Sequence, residues 1–158
     1  MSVISFGNAS NNRPKVFYIV YSIFMLLTYY SYVLLDDYRL GRSSYWKLTS
    51  SITPQDIESI KRLGNWISVL ESVFFYVFLL AYIVIHIFSK KNANVLMRFL
   101  FLNGALFAGI AAINYIIFLV TALPIGNLMQ PLIWPLNVFV MLLIYVLWLK
   151  FTQKIAHT

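Results

Sequence analysis

Four long apolar runs govern what this chain can fold into: residues 16–35, 65–88, 97–123 and 128–151. Inside a bilayer a backbone has no water to bond to, so a single run of about 20 apolar residues can cross only as a helix that satisfies its own N–H and C=O groups. Four such runs in 158 residues leave too little chain for a soluble domain. The composition agrees, with 61% hydrophobic and 11% charged residues, against roughly 25% charged in an ordinary globular domain. The expected fold is an all-α integral membrane protein: a four-helix transmembrane bundle forming one transmembrane domain over residues 1–158.

The first run ends in Leu34-Leu35-Asp36-Asp37 rather than at a small-residue cleavage site, so it is expected to stay attached rather than act as a removable signal. Before it, the polar stretch from Asn8 to Lys15 reads as a frayed tail, with Arg13 and Lys15 anchoring the helix at the headgroups. Tyr29, Tyr30, Tyr32 and Tyr38 read as an interfacial belt, rings in lipid and hydroxyls in water. The adjacent acids Asp36 and Asp37 read as a solvated pair at the helix exit.

Residues 36–64 form the longest connection, and one local signal stands out in it. Thr53-Pro54-Gln55-Asp56 offers a hydroxyl for the N-cap, proline at the first helical position and an acid at the third. A helix should therefore start at Pro54. Ile57, Ile60 and Leu63 fall on one side of it and Asp56, Glu58, Lys61 and Arg62 on the others, which suits a short amphipathic surface helix over about 54–63. Gly64 then marks a bend or weak point before the second span.

In the third run, Gly104, Ala108 and Ala112 recur at four-residue spacing, with Ala105 and Gly109 beside them. Small residues at that spacing allow another helix to approach closely, in this chain or in another one. Pro124-Ile125-Gly126-Asn127 makes an uncharged turn before the fourth run. Within that run Pro135 removes a donor and frees the Pro131 carbonyl, so a bend is expected there. The sequence contains no internal repeat of the kind that builds inverted-repeat transporters.

Charge bears on orientation and partners. A net charge of +7 would suggest nucleic acid in a soluble protein, but here the basic residues sit at helix ends, where they meet lipid headgroups. One side collects Arg13, Lys15, Lys90, Lys91, Arg98, Lys150 and Lys154, the other Arg39, Arg42, Lys47, Lys61 and Arg62. Seven against five favours cytoplasmic N- and C-termini. The partners implied are membrane lipids and another membrane protein, or self-association through the third helix, with no nucleic acid.

Chemistry has few places to reside. The chain has no cysteine, which excludes thiolate metal sites and thiol catalysis. His86 reads as a solvated residue at a helix end and His157 lies in the tail, so the two histidines form no haem-ligand pair. No catalytic motif, metal site or cofactor site is recognised. The exception is Glu71, the one acid well inside a span, because an intramembrane carboxyl is costly to keep without a purpose. Counting depth from the outer helix ends brings Tyr29, Tyr30, Asn114, Trp134 and Asn137 to its level, and Glu71 is expected to point inward and find its partner among them. Such a layer is either a cavity or a hydrogen-bond network that sets helix register.

Three functions fit these features. The favoured one is a non-catalytic accessory or partner-binding subunit of a membrane complex. The alternatives are a carrier, channel or small-molecule or lipid-binding protein built around Glu71, and after that an isomerase-type enzyme using the same acid. In layout the chain resembles the four-helix sterol-isomerase and sigma-2-receptor group, with Asp36 and Asp37 ending the first helix and Glu71 in the second. It departs from that group after Glu71, where Ser-Val-Phe-Phe-Tyr stands in place of a Gln-x-Pro motif.

Overall fold

The computed structural model describes residues 13–49, 52–89, 92–121 and 123–155, all in helices or the short links between them. Helix α1 runs Arg13–Thr49, α2 Pro54–Phe88, α3 Ala93–Val120, α4 Ile125–Met129 and α5 Ile133–Ile155, with a 3₁₀ turn Gln130–Leu132 between the last two. Four helical segments are long and apolar enough to cross a membrane, and α4, the 3₁₀ turn and α5 together supply the fourth. The protein is thus a multi-pass helical bundle. The tail before Arg13, Lys90, Lys91 and His157 lie outside the described residues.

The largest departure from the sequence expectation is in the stretch 36–64, which is mostly helix. α1 continues past Leu35 because its next two turns carry their own side-chain pairs. Asp36 and Arg39 form an ion pair at 2.6 Å, and the Arg42 guanidinium lies 5.5 Å from the centre of the Tyr38 ring. Both spacings put the partners on one helical face. α2 begins at Pro54 as expected: Thr53 and Asp56 complete a capping box, with the Thr53 N–H donating to Asp56 Oδ2 at 3.1 Å. The 54–63 turns are not a separate surface helix, however. They run through Gly64 without interruption into the span, because nothing at Gly64 breaks the ladder and Ser68 bonds back to its carbonyl at 3.1 Å. At 37 and 35 residues, α1 and α2 are about 55 and 52 Å long, well beyond a hydrocarbon core of about 30 Å.

α3 shows why the bundle packs as it does. Leu96, Phe99, Leu100, Asn103, Phe107, Ile110 and Asn114 are its buried residues, and their spacing of three and four makes one continuous face. That face meets Tyr21, Met25 and Tyr29 of α1, Phe74 and Phe78 of α2, and Val146 of α5 in a single core. Aromatic rings interlock through its middle: Phe107 lies 5.5 Å from Phe78, 6.3 Å from Phe74 and 5.9 Å from Phe139, all tilted or edge-on. Each such pair contributes about 0.5–1.5 kcal/mol beyond simple area. Contacts of this kind matter more in lipid, where apolar surface has no hydrophobic reason to leave the solvent.

The small-residue stripe is on the other side of α3. Gly104 alone meets a neighbouring helix, with the position of an added Cβ 3.3 Å from Phe139 Cζ. Ala105, Ala108, Gly109 and Ala112 are exposed on the chain. The buried series takes the inward face, and the stripe, almost half a turn away, is left uncovered together with Phe101 and Ile116.

Candidate functional site

The polar groups in the half of the bundle far from Arg13 and Ile155, the outer half for short, converge on α4. Proline dictates the local backbone: Pro131 has no N–H, so the Asn127 carbonyl loses its helical donor and the chain tightens into a 3₁₀ turn, with the Gln130 N–H bonding Asn127 O instead. Pro135 repeats the effect on the Pro131 carbonyl. Both prolines are buried. Carbonyl oxygens with acceptor capacity to spare therefore lie inside the bundle, where each needs a donor.

Those donors come from one face of α1. The Tyr29 hydroxyl donates to the Leu128 carbonyl, and the Tyr32 hydroxyl to the Asn127 carbonyl at 3.0 Å. One turn further on, Asp36 accepts from the Asn127 side-chain amide at 3.1 Å while holding Arg39. From α3, Asn114 Nδ2 donates to the Tyr29 oxygen and to the Leu128 carbonyl, the latter at 3.2 Å. Tyr29 and Asn114 are fully buried and Asp36 is 4% exposed. Residues 29, 32 and 36 share a helical face, so α1 grips α4 along a line of three side chains, and Asn114 closes the grip from behind. The one acceptor left over is Asn114 Oδ1, buried with no partner.

This arrangement redraws the expected layer. Tyr29 and Asn114 are brought together as depth counting suggests, but Tyr29 and Tyr32 are core residues rather than an interfacial belt, because α4 folds back over their hydroxyls. Tyr30 is half-buried and packs edge-on against Tyr29, and Tyr38 is exposed. Asp36 is buried rather than solvated, held by Arg39 and Asn127. Asn137 is exposed and turns back to its own helix, bonding the Ile133 carbonyl at 2.9 Å. Trp134 is 65% exposed and takes no part in the network.

Glu71 stands outside the network as well. It is half-buried, and its hydrogen-bond partner is Gln130, whose Nε2 donates to Glu71 Oε2 at 3.3 Å on the outer surface of the bundle. Gln130 is not among the partners expected from depth. The 3₁₀ turn carries it across to α2, a shift that residue counting along a regular helix misses. Beside the pair is a recess of about 180 Å³ lined by Glu71, Ser72, Phe75, Tyr76, Trp134 and the two prolines. Ligand pockets for drug-sized molecules hold about 300–1,000 Å³, so this one suits water, an ion or a fragment of a headgroup.

The inner half has a different polar group. His86 is half-buried rather than solvated, with its ring 5.8 Å from both Tyr82 of α2 and Tyr145 of α5. Its Nδ1 and the Tyr82 hydroxyl are buried without a partner among the described residues. Nearer the middle, the Tyr21 hydroxyl donates to Asn103 Oδ1 at 2.5 Å, and Asn103 Nδ2 donates to the Phe99 carbonyl at 2.9 Å. Among the described residues, no three His, Asp or Glu side chains come together as a metal-binding group.

Tyr32, Asp36, Asn127 and Gln130 are the residues that sequence reasoning passed over. The signal that finds Tyr32 and Asn127 is Pro131, since a proline four residues after Asn127 frees a carbonyl for which an inward-facing donor must exist. Comparison with protein-family models, curated proteins and solved structures finds no match to this chain.

Proposed function

We propose that this chain is a non-catalytic, partner-binding subunit of a membrane assembly, and that the outward face of α3 is its intramembrane contact. The observation that carries this reading is the division of labour on α3. Its buried series from Leu96 to Asn114 is used up inside the bundle, while Ala105, Ala108, Gly109 and Ala112 form an uncovered seam, bordered by exposed Phe101 and Ile116, at the spacing that lets helices approach. The polar layer that a carrier or channel would need is engaged in internal hydrogen bonds. On this reading both ends of the sequence face the cytoplasm, and labelling of Ser2→Cys and Thr158→Cys from the two sides of the membrane checks it.

The absence of native cysteine makes the main test clean. Ala108→Cys and Ala112→Cys should cross-link to a neighbouring protein or a second copy in native membranes, whereas Met141→Cys, on an exposed face of α5, should not. Ala108→Leu should leave the isolated chain as stable as the parent and, combined with Ala112→Cys, abolish the cross-link from position 112. Gly104→Leu should instead destabilise the chain itself, by about 1–3 kcal/mol, because it forces a side chain against Phe139. Equal cross-linking at 108 and 141 would sink the proposal.

A second reading, a small-molecule, ion or lipid-headgroup site at Glu71, draws on one observation: the carboxylate borders an open recess. Glu71→Gln retains a hydrogen-bonding side chain but cannot ionise. A variant that folds, assembles and has lost function would favour this second reading over the first.

A further inference from the structure

On the side where α1 begins and α5 ends, the bundle surface carries a groove of about 550 Å³ between α1, α2 and α3. Its walls are Phe17, Tyr18, Val84, Ile85, Phe88 and Val95, with Ser89 at the end. The Ser89 hydroxyl is committed to the His86 carbonyl at 3.2 Å, so the groove offers an occupant an almost wholly apolar surface. Its position is set by helix ends: Phe17 and Tyr18 open α1, Phe88 closes α2, and Val95 is in the first turn of α3. The groove therefore spans the boundary between hydrocarbon and headgroups.

Basic side chains mark its polar end. Arg98 is exposed one turn deeper than Val95 on the same face of α3, and because helical side chains lean toward the helix N-terminus its long stem can carry the guanidinium back toward the headgroup end of the groove. Lys15 is exposed two residues before Phe17. Among the described residues, no carboxylate hydrogen-bonds or ion-pairs with either cation. An apolar trough with exposed cations within reach of its interfacial end, Lys15 directly and Arg98 by its long stem, is complementary to one kind of molecule in a membrane, a lipid with an acyl chain and an anionic phosphate.

We infer that this groove binds an anionic phospholipid of the leaflet on the side where α1 begins, with an acyl chain between Phe17, Val84, Phe88 and Val95 and the phosphate at Arg98 and Lys15. The inference is independent of the α3 contact proposed above, since the groove and the small-residue seam use different residues. Charge selects the headgroup, at about fivefold in affinity for each basic residue near the surface. The groove selects for a chain held against protein rather than in bulk lipid.

The test uses the full chain in nanodiscs of equal phosphatidylglycerol and phosphatidylcholine with matched acyl chains, then extraction into mild detergent and native mass spectrometry of retained lipid. The parent should retain phosphatidylglycerol over phosphatidylcholine. Arg98→Gln should reduce that preference about fivefold, and Lys15→Gln should reduce it further in combination. Val95→Trp, which fills the trough, should reduce retention of both lipids, while Ile144→Trp on an exposed face of α5 should change nothing. Thermal melting of each variant separates lost binding from lost fold. Equal retention of the two lipids by the parent, an unchanged preference in Arg98→Gln, or unchanged retention in a folded Val95→Trp would each overturn the inference.

Discussion

The outer and inner halves of the bundle are held together by different physics. In the outer half, Pro131 leaves the Asn127 carbonyl without its helical donor, and tyrosine and asparagine side chains on α1 and α3 bond the Asn127 and Leu128 carbonyls of α4. In the inner half the helix ladders are regular, aromatic rings fill the space, and two polar atoms, Tyr82 Oη and His86 Nδ1, are buried with no partner. A tyrosine in this membrane protein thus donates to a backbone carbonyl at Tyr29 and Tyr32, to a buried amide at Tyr21, and is a space-filling ring at Tyr82. What decides its role is whether the facing helix offers an acceptor.

Mutations can break that comparison, and the largest effect is expected at Asn114. Its amide serves both the Tyr29 oxygen and the Leu128 carbonyl, so Asn114→Leu removes two hydrogen bonds and brings a branched side chain into a fully buried position. A loss of about 1–3 kcal/mol per unsatisfied buried group follows, measurable by unfolding in a denaturing-detergent titration. A much smaller effect is expected at Glu71. Its partner Gln130 is exposed and their bond is long, so Glu71→Leu should cost about 0–1 kcal/mol, the scale of a surface polar pair. If Glu71→Leu proved as damaging as Asn114→Leu, the acid would belong to the latch after all.

The sequence carries the four spans, the capping box at Thr53 and the shared depth of Tyr29 and Asn114, because hydrophobic run length, cap chemistry and depth are all local or nearly local quantities. It carries the fate of the small residues less well. Gly104, Ala105, Ala108, Gly109 and Ala112 and the larger series from Leu96 to Asn114 both recur at helical spacing, and nothing local says which face turns inward. Gln130 was hidden for another reason. A 3₁₀ turn changes both rise and rotation per residue, so counting along a regular helix misplaces every side chain on it. Asp36 was hidden because its partners Asn127 and Arg39 gather around it only once α4 folds back, and a pair of acids at a helix exit gives no hint of that.

The central claim is that the outer polar layer is a latch closing α1 over α4, and a pair of single-atom deletions tests it most directly. Tyr29→Phe removes a hydroxyl that donates to the Leu128 carbonyl and accepts from Asn114, whereas Tyr82→Phe removes a hydroxyl that bonds to nothing. Unfolding of the two variants and the parent should show Tyr29→Phe destabilised by about 1–3 kcal/mol and Tyr82→Phe equal to the parent or slightly more stable. Equal effects of the two substitutions, or a Tyr29→Phe variant as stable as the parent, would contradict the latch.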